Sequence, residues 1–160
     1  MQPFLAAIRQ SALAAGVFAD VTMRPDGVHC TAKDAAAEAV YSICRDGDGD
    51  GWLVRLATPD RWLSESIEAD LMHYGDPIEE LVEEELVELG HEPARDGDMP
   101  TIKHFRSDDR RYTFENRLPL PADTPSAAAV ASRFLLAYEA AFRELGDMQP
   151  EGDMQGGGDE

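Results

Sequence analysis

The chain carries 160 residues and 17.6 kDa, and its 32 acids against 14 bases give a formal charge of -18. That size suits one domain able to withdraw about 70% of its unfolded surface from water without disulfides or a metal, and a hydrophobic content of 43% argues against a disordered chain. No apolar run of membrane-spanning length occurs, and the negative charge argues against non-specific binding to nucleic acid or anionic lipid.

At the start, Phe4, Leu5, Ile8, Ala12 and Leu13 recur near period 3.6 and Gly16 follows, which predicts a short amphipathic helix with a left-handed end. No basic region precedes this stretch and Arg9 interrupts it, so a secretory signal is not expected and the chain is read as cytoplasmic. Residues 17–24 and 28–33 predict a hairpin around Pro25, Asp26 and Gly27. Residues 39–45 and 52–58 are rich in β-branched and aromatic side chains, and predict two more strands around the DGDGDG run at 46–51. Between 61 and 74, Leu63, Ile67 and Leu71 stand at helical spacing but also alternate well enough for an edge strand; helix is favoured.

Asp76, Pro77 and Glu79 read as a cap, a first-turn proline and a carboxylate able to reach back to the cap amide, so a helix is predicted there. Its apolar stripe is Ile78, Leu81, Val82, Leu86 and Leu89, and Gly90 stops it. Residues 101–106 and 112–118 predict a second hairpin, closed off by Pro119 and Pro121. Thr124 and Pro125 open a last helix with a wide apolar stripe from Val130 to Leu145, which should lie across a sheet. The predicted organisation is one α+β domain over 1–145, an antiparallel sheet of about five strands with N-terminal, middle and C-terminal helices, then a disordered acidic, glycine-rich tail over 146–160.

Candidate chemistry is sparse. Asp46, Asp48, Asp50 and Gly51 imitate the start of an EF-hand loop, but position 12 is Ala57 where a bidentate Glu is needed, so a solvated turn is expected, with weak calcium binding as the other reading. Glu88 and His91 have E-x-x-H spacing without the second copy a di-iron bundle needs. His29, His73 and His104 are scattered, and Cys30 and Cys44 form no C-x-x-C, so both cysteines are expected to be small buried hydrophobes. No G-x-S-x-G, P-loop or G-x-G-x-x-G occurs. No catalytic residue, metal site or cofactor is expected.

Charge placement says more. From Asp76 to Asp98 the chain holds ten acids against one base, Arg95. Glu79, Glu80, Glu83, Glu84 and Glu88 form the acidic face of the middle helix, read either as a solubilising surface or as a docking face for a basic partner. Lys103, Arg106, Arg110, Arg111 and Arg117 cluster in the last hairpin, where Asp108, Asp109 and Glu115 favour pairing within the molecule.

The order of elements, with Arg117-Leu118-Pro119-Leu120-Pro121 leading into the helix over 126–145, resembles the type III secretion chaperone-like family, which secretion chaperones share with YbjN-type proteins. The resemblance spans about residues 2–145. It implies a homodimer that binds an extended or partly unfolded protein segment through hydrophobic surface, without nucleotide or metal. The expectation is therefore a small acidic protein-binding module, a chaperone or adaptor, with Ile78, Leu81, Val82, Leu86 and Leu89 as its partner or dimer face. The alternative is an acidic stoichiometric inhibitor, an immunity protein or nucleic-acid mimic, directed at a basic enzyme.

Overall fold

A computed structural model describes residues 2–47, 51–92 and 99–148. In chain order the elements are α1 (Gln2–Ala15), β1 (Phe18–Arg24), β2 (Gly27–Ala32), β3 (Val40–Arg45), β4 (Trp52–Thr58), α2 (Arg61–Tyr74), α3 (Ile78–Glu88), β5 (Lys103–Arg106), β6 (Tyr112–Arg117) and α4 (Thr124–Arg143), followed by one 3-10 turn, Gly146–Met148. The strands form a single antiparallel sheet in the order β1-β2-β3-β4-β6-β5, one strand more than expected, with β1 and β5 as its edges. The fold is α+β, and the sheet is not closed into a barrel.

Register decides which face is buried. Val28, Ile43, Val54 and Asn116 stand in one cross-strand row, and Cys30, Tyr41, Leu56 and Phe114 in the next. On these rows lie α1, through Phe4, Leu5, Ile8 and Ala12, and α4, through Phe134, Leu135, Tyr138 and Phe142. Leu13, counted on the α1 stripe, is exposed instead. The amide that these rows bury is satisfied: the Tyr138 hydroxyl donates to Asn116 Oδ1 at 2.7 Å. The opposite face carries His29, Ser42, Cys44, Arg55, Ala57 and Glu115, none of which joins the helix-packed core.

The ambiguous stretch is helical. Asp60 accepts the Leu63 N–H at 2.9 Å, Gly75 takes a left-handed φ of 80° at the far end, and Leu63 and Ile67 are buried. His104 of β5 lies against the Phe114 ring at 3.8 Å and reaches Glu68 of α2 at 2.6 Å, which fastens this helix to the sheet edge.

Three local expectations are corrected. The capping box at α3 does not form: Pro77 occupies the cap position without a side-chain hydrogen bond, and Glu79 turns instead to the Ile102 N–H at 2.9 Å. At α4 the cap is Asp123, whose carboxylate accepts the Ser126 N–H, so Thr124 and Pro125 already lie inside the helix. The tail does not begin at Gly146. Gly146 and Asp147 donate backbone N–H groups to Asp70 and Ser66 of α2, Ala36 donates to the Asp147 carbonyl, and Met148 is buried. A Cβ on Gly146 would fall 2.6 Å from the Ser66 backbone, so only glycine lets the turn sit this close to α2. Residues 149–160 lie outside the described residues.

Candidate functional site

Six of the eleven residues of α3 are glutamates and none is basic. Glu79 and Glu80 in the first turn complement the helix dipole, whereas the acids nearer the C-terminal end oppose it. Like charges four apart, Glu79 with Glu83, Glu80 with Glu84 and Glu84 with Glu88, each cost a few tenths of a kcal/mol. No hydrogen bond or ion pair compensates Glu80, Glu83, Glu84, Glu85 or Glu88 among the described residues. The helix is therefore held by its buried side, not by its surface.

That buried side takes most of the apolar stripe. Ile78, Val82 and Leu86 pack in the domain's own core with α3 laid along α4, and are not available to a partner in this fold. The expectation of a spare apolar face is corrected for these three, because the sheet and two other helices leave α4 with a flank that α3 covers. Leu81 is half-buried, Leu89 is 39% exposed and Val87, not anticipated, is 57% exposed. Of the acidic residues, Glu80, Glu84 and Glu88 face solvent, Glu83 is half-buried and Glu79 is engaged with Ile102.

Between α3 and the C-terminal half of α4 lies a slot of about 170 Å³. Leu81, Ala140, Ala141 and Leu145 form its floor, and Asp76, Glu84, Glu85 and Glu144 its rim. It exists because two successive alanines on α4 leave no side chain to fill the space opposite Leu81. Small-molecule pockets usually start near 300 Å³, so this one is scaled to a single side chain. Glu84 and Glu85 also border the outer acidic surface of α3 with Glu80, Val87 and Glu88, so slot and acidic face are continuous.

Asp46, first residue of the DGDGDG run, is held by Arg117, while Asp48 and Asp50 lie outside the described residues. No group of three or more potential ligands capable of holding a metal occurs among the described residues. Glu88 closes α3, whereas His91 lies past Gly90, buried edge-on to Phe134, so the two do not share a helical face. In the basic hairpin, Arg111 pairs with Asp109 and Arg117 with Asp46, while Glu115 pairs with Arg55 of β4 at 2.8 Å. Burial pushes the Cys44 thiol up to about 11 and the Cys30 thiol to about 12.

Two features escaped the sequence. Ser42 Oγ lies 2.9 Å from His29 Nδ1, and His29 Nε2 lies 2.9 Å from Asp26 Oδ1, the order of a nucleophile, a base and an orienting acid. Ser42, however, is only 3% exposed, and β3 is paired on both sides, so its backbone presents no free N–H pair for an oxyanion. The chain of bonds ties β2 to β3. The second feature is an exposed stripe on α2, Trp62 at 73% and Met72 at 84%. Both residues fall off the Leu63, Ile67, Leu71 stripe, a signal the sequence did contain.

Comparison with protein-family models, with curated proteins and with solved structures finds no match. Among the described residues no helix is long and apolar enough to cross a membrane.

Proposed function

We propose that the protein is a small acidic protein-binding module, a chaperone or adaptor, that receives a partner on the α3 side of the domain. The observation that carries this reading is the continuity of uncompensated glutamates with an apolar slot on one helix pair. An acidic surface serving only solubility needs no apolar recess inside it, whereas a protein interface combines an apolar centre with a polar rim. The order of elements supports a place beside secretion chaperone-like proteins, and two free buried cysteines fit a reducing, cytoplasmic setting. A homodimer through α3 would have to use Leu81, Val87 and Leu89, since the rest of the stripe is occupied.

The same unpaired glutamates favour a second reading, a stoichiometric inhibitor of a basic enzyme. A photo-crosslinker placed at Val87 tests the site and yields the partner. Discrete adducts from Val87, absent from a crosslinker at Arg9 on α1, support it; equal adducts from both positions count against it. With the captured partner purified, retention of most affinity in high salt supports the chaperone or adaptor, and a steep loss of association rate supports the inhibitor.

A further inference from the structure

We infer that the slot between α3 and α4 seats one apolar side chain of a basic amphipathic segment, its lysines or arginines facing the carboxylates of the rim. The inference rests on the protein-binding reading and gives the partner its chemistry. The floor of Leu81, Ala140 and Ala141 offers no polar side chain to an occupant, so what enters must be apolar. At about 170 Å³ the recess holds one side chain and not a strand or a helix, so the remainder of the occupant lies on the rim. There it meets Asp76, Glu84 and Glu85, none of them paired with a base among the described residues, together with Glu144. A neutral or acidic segment would bring no charge to match them, and a basic one would.

A helical segment suits this arrangement, because side chains three and four positions apart lie on one face and place bases on either side of a single anchor. A second copy of this chain is the poorer occupant. It brings a formal charge of -18 to a face that is already negative, and two of the five bases in its hairpin, Arg111 and Arg117, are paired internally.

The test uses the full chain and three synthetic peptides followed by fluorescence anisotropy. One is an amphipathic helix of leucine and lysine, the second a scrambled version with no apolar face, the third the amphipathic helix with glutamate for lysine. Ala140→Leu fills the slot without changing charge, and Glu84→Gln with Glu85→Gln removes charge without filling it; circular dichroism and thermal melting establish that each variant is folded. The basic amphipathic peptide is expected to bind, to lose about tenfold in affinity to Ala140→Leu, which excludes its anchor, and to lose less than that, keeping most of its affinity, on raising salt or removing the two charges. The scrambled peptide should be indifferent to Ala140→Leu. Equal binding of both basic peptides, untouched by Ala140→Leu, overturns the inference while leaving a protein-binding acidic face. Binding of the acidic amphipathic peptide, weakened by Ala140→Leu, overturns the partner's charge and keeps the slot. Self-association by light scattering that Ala140→Leu abolishes, with no peptide bound, assigns the slot to a second copy and overturns it too.

Discussion

Glu79 and Ile102 stand 23 positions apart, and the carboxylate of one accepts the backbone N–H of the other at 2.9 Å. A glutamate at the start of α3 thereby anchors the entry to edge strand β5, and the helix that presents the acidic face is tied to the sheet. Glu79→Ala should lower stability by about 1 to 2 kcal/mol, the range for a hydrogen bond to a charged acceptor in a partly buried place. Hydrogen exchange at Ile102 should quicken, and Glu79→Gln, which keeps an acceptor oxygen, should restore most protection. Unchanged exchange in Glu79→Ala would show that the bond holds nothing.

Leu86 and Val87 are adjacent in sequence and opposite in consequence. Leu86 is fully buried, so Leu86→Ala should cost about 2 to 5 kcal/mol through lost contact and the cavity left behind. Val87→Ala should stay within about 0.5 kcal/mol, as exposed substitutions do. Chemical denaturation measures both; a Leu86→Asp protein that is folded would contradict the burial of this residue.

The Asp123 carboxyl is held below its ordinary value of 3.8 chiefly by hydrogen bonding from Ser126, first from its side chain and then from its backbone. A group with a lowered folded-state pKa adds stability that is fully present above the unfolded value and is lost as pH falls through the folded one. The melting-temperature gap between the parent and Asp123→Ala should therefore be constant from pH 5 to 7, by about one pH unit clear of titration, and narrow below 3.8. A gap that widens on acidification would refute the assignment.

The turn after α4 is part of the domain. Ending the chain at Leu145 instead of Met148 removes a buried methionine and three backbone hydrogen bonds to α2 and Ala36, and should cost about 3 kcal/mol. Urea unfolding of the two truncated chains compares them directly, and equal midpoints would show that the turn does not dock.

Elements with strong local punctuation were legible from the sequence. β4 and α2 have the predicted bounds, although over 61–74 helix was only favoured above an edge strand; in the structure Asp60 caps that helix and Gly75 closes it. What the sequence left hidden depends on partners far along the chain. Asp76 and Glu79 have capping-box spacing, yet a distant Ile102 amide claims Glu79. Glycine and acid at 146 and 147 look like the start of a tail, yet Asp70 and Ser66 provide acceptors that no local pattern announces. For the site, the acidic face was plain in α3 itself. The slot was not, since Ala140 and Ala141 read as ordinary stripe residues until α3 is laid beside them.

The proposed partner site is the α3 and α4 side, not the edge strands or the α2 stripe. Methyl-resolved NMR of the full chain, titrated with the partner captured at Val87, measures this residue by residue. The methyl signals of Leu81, Val87, Ala140 and Ala141 should move first and furthest, while those of Leu13 and Met72, both exposed elsewhere on the surface, stay in place. Movement concentrated at Met72 and the Trp62 indole, with Leu81 and Ala140 unmoved, would contradict it.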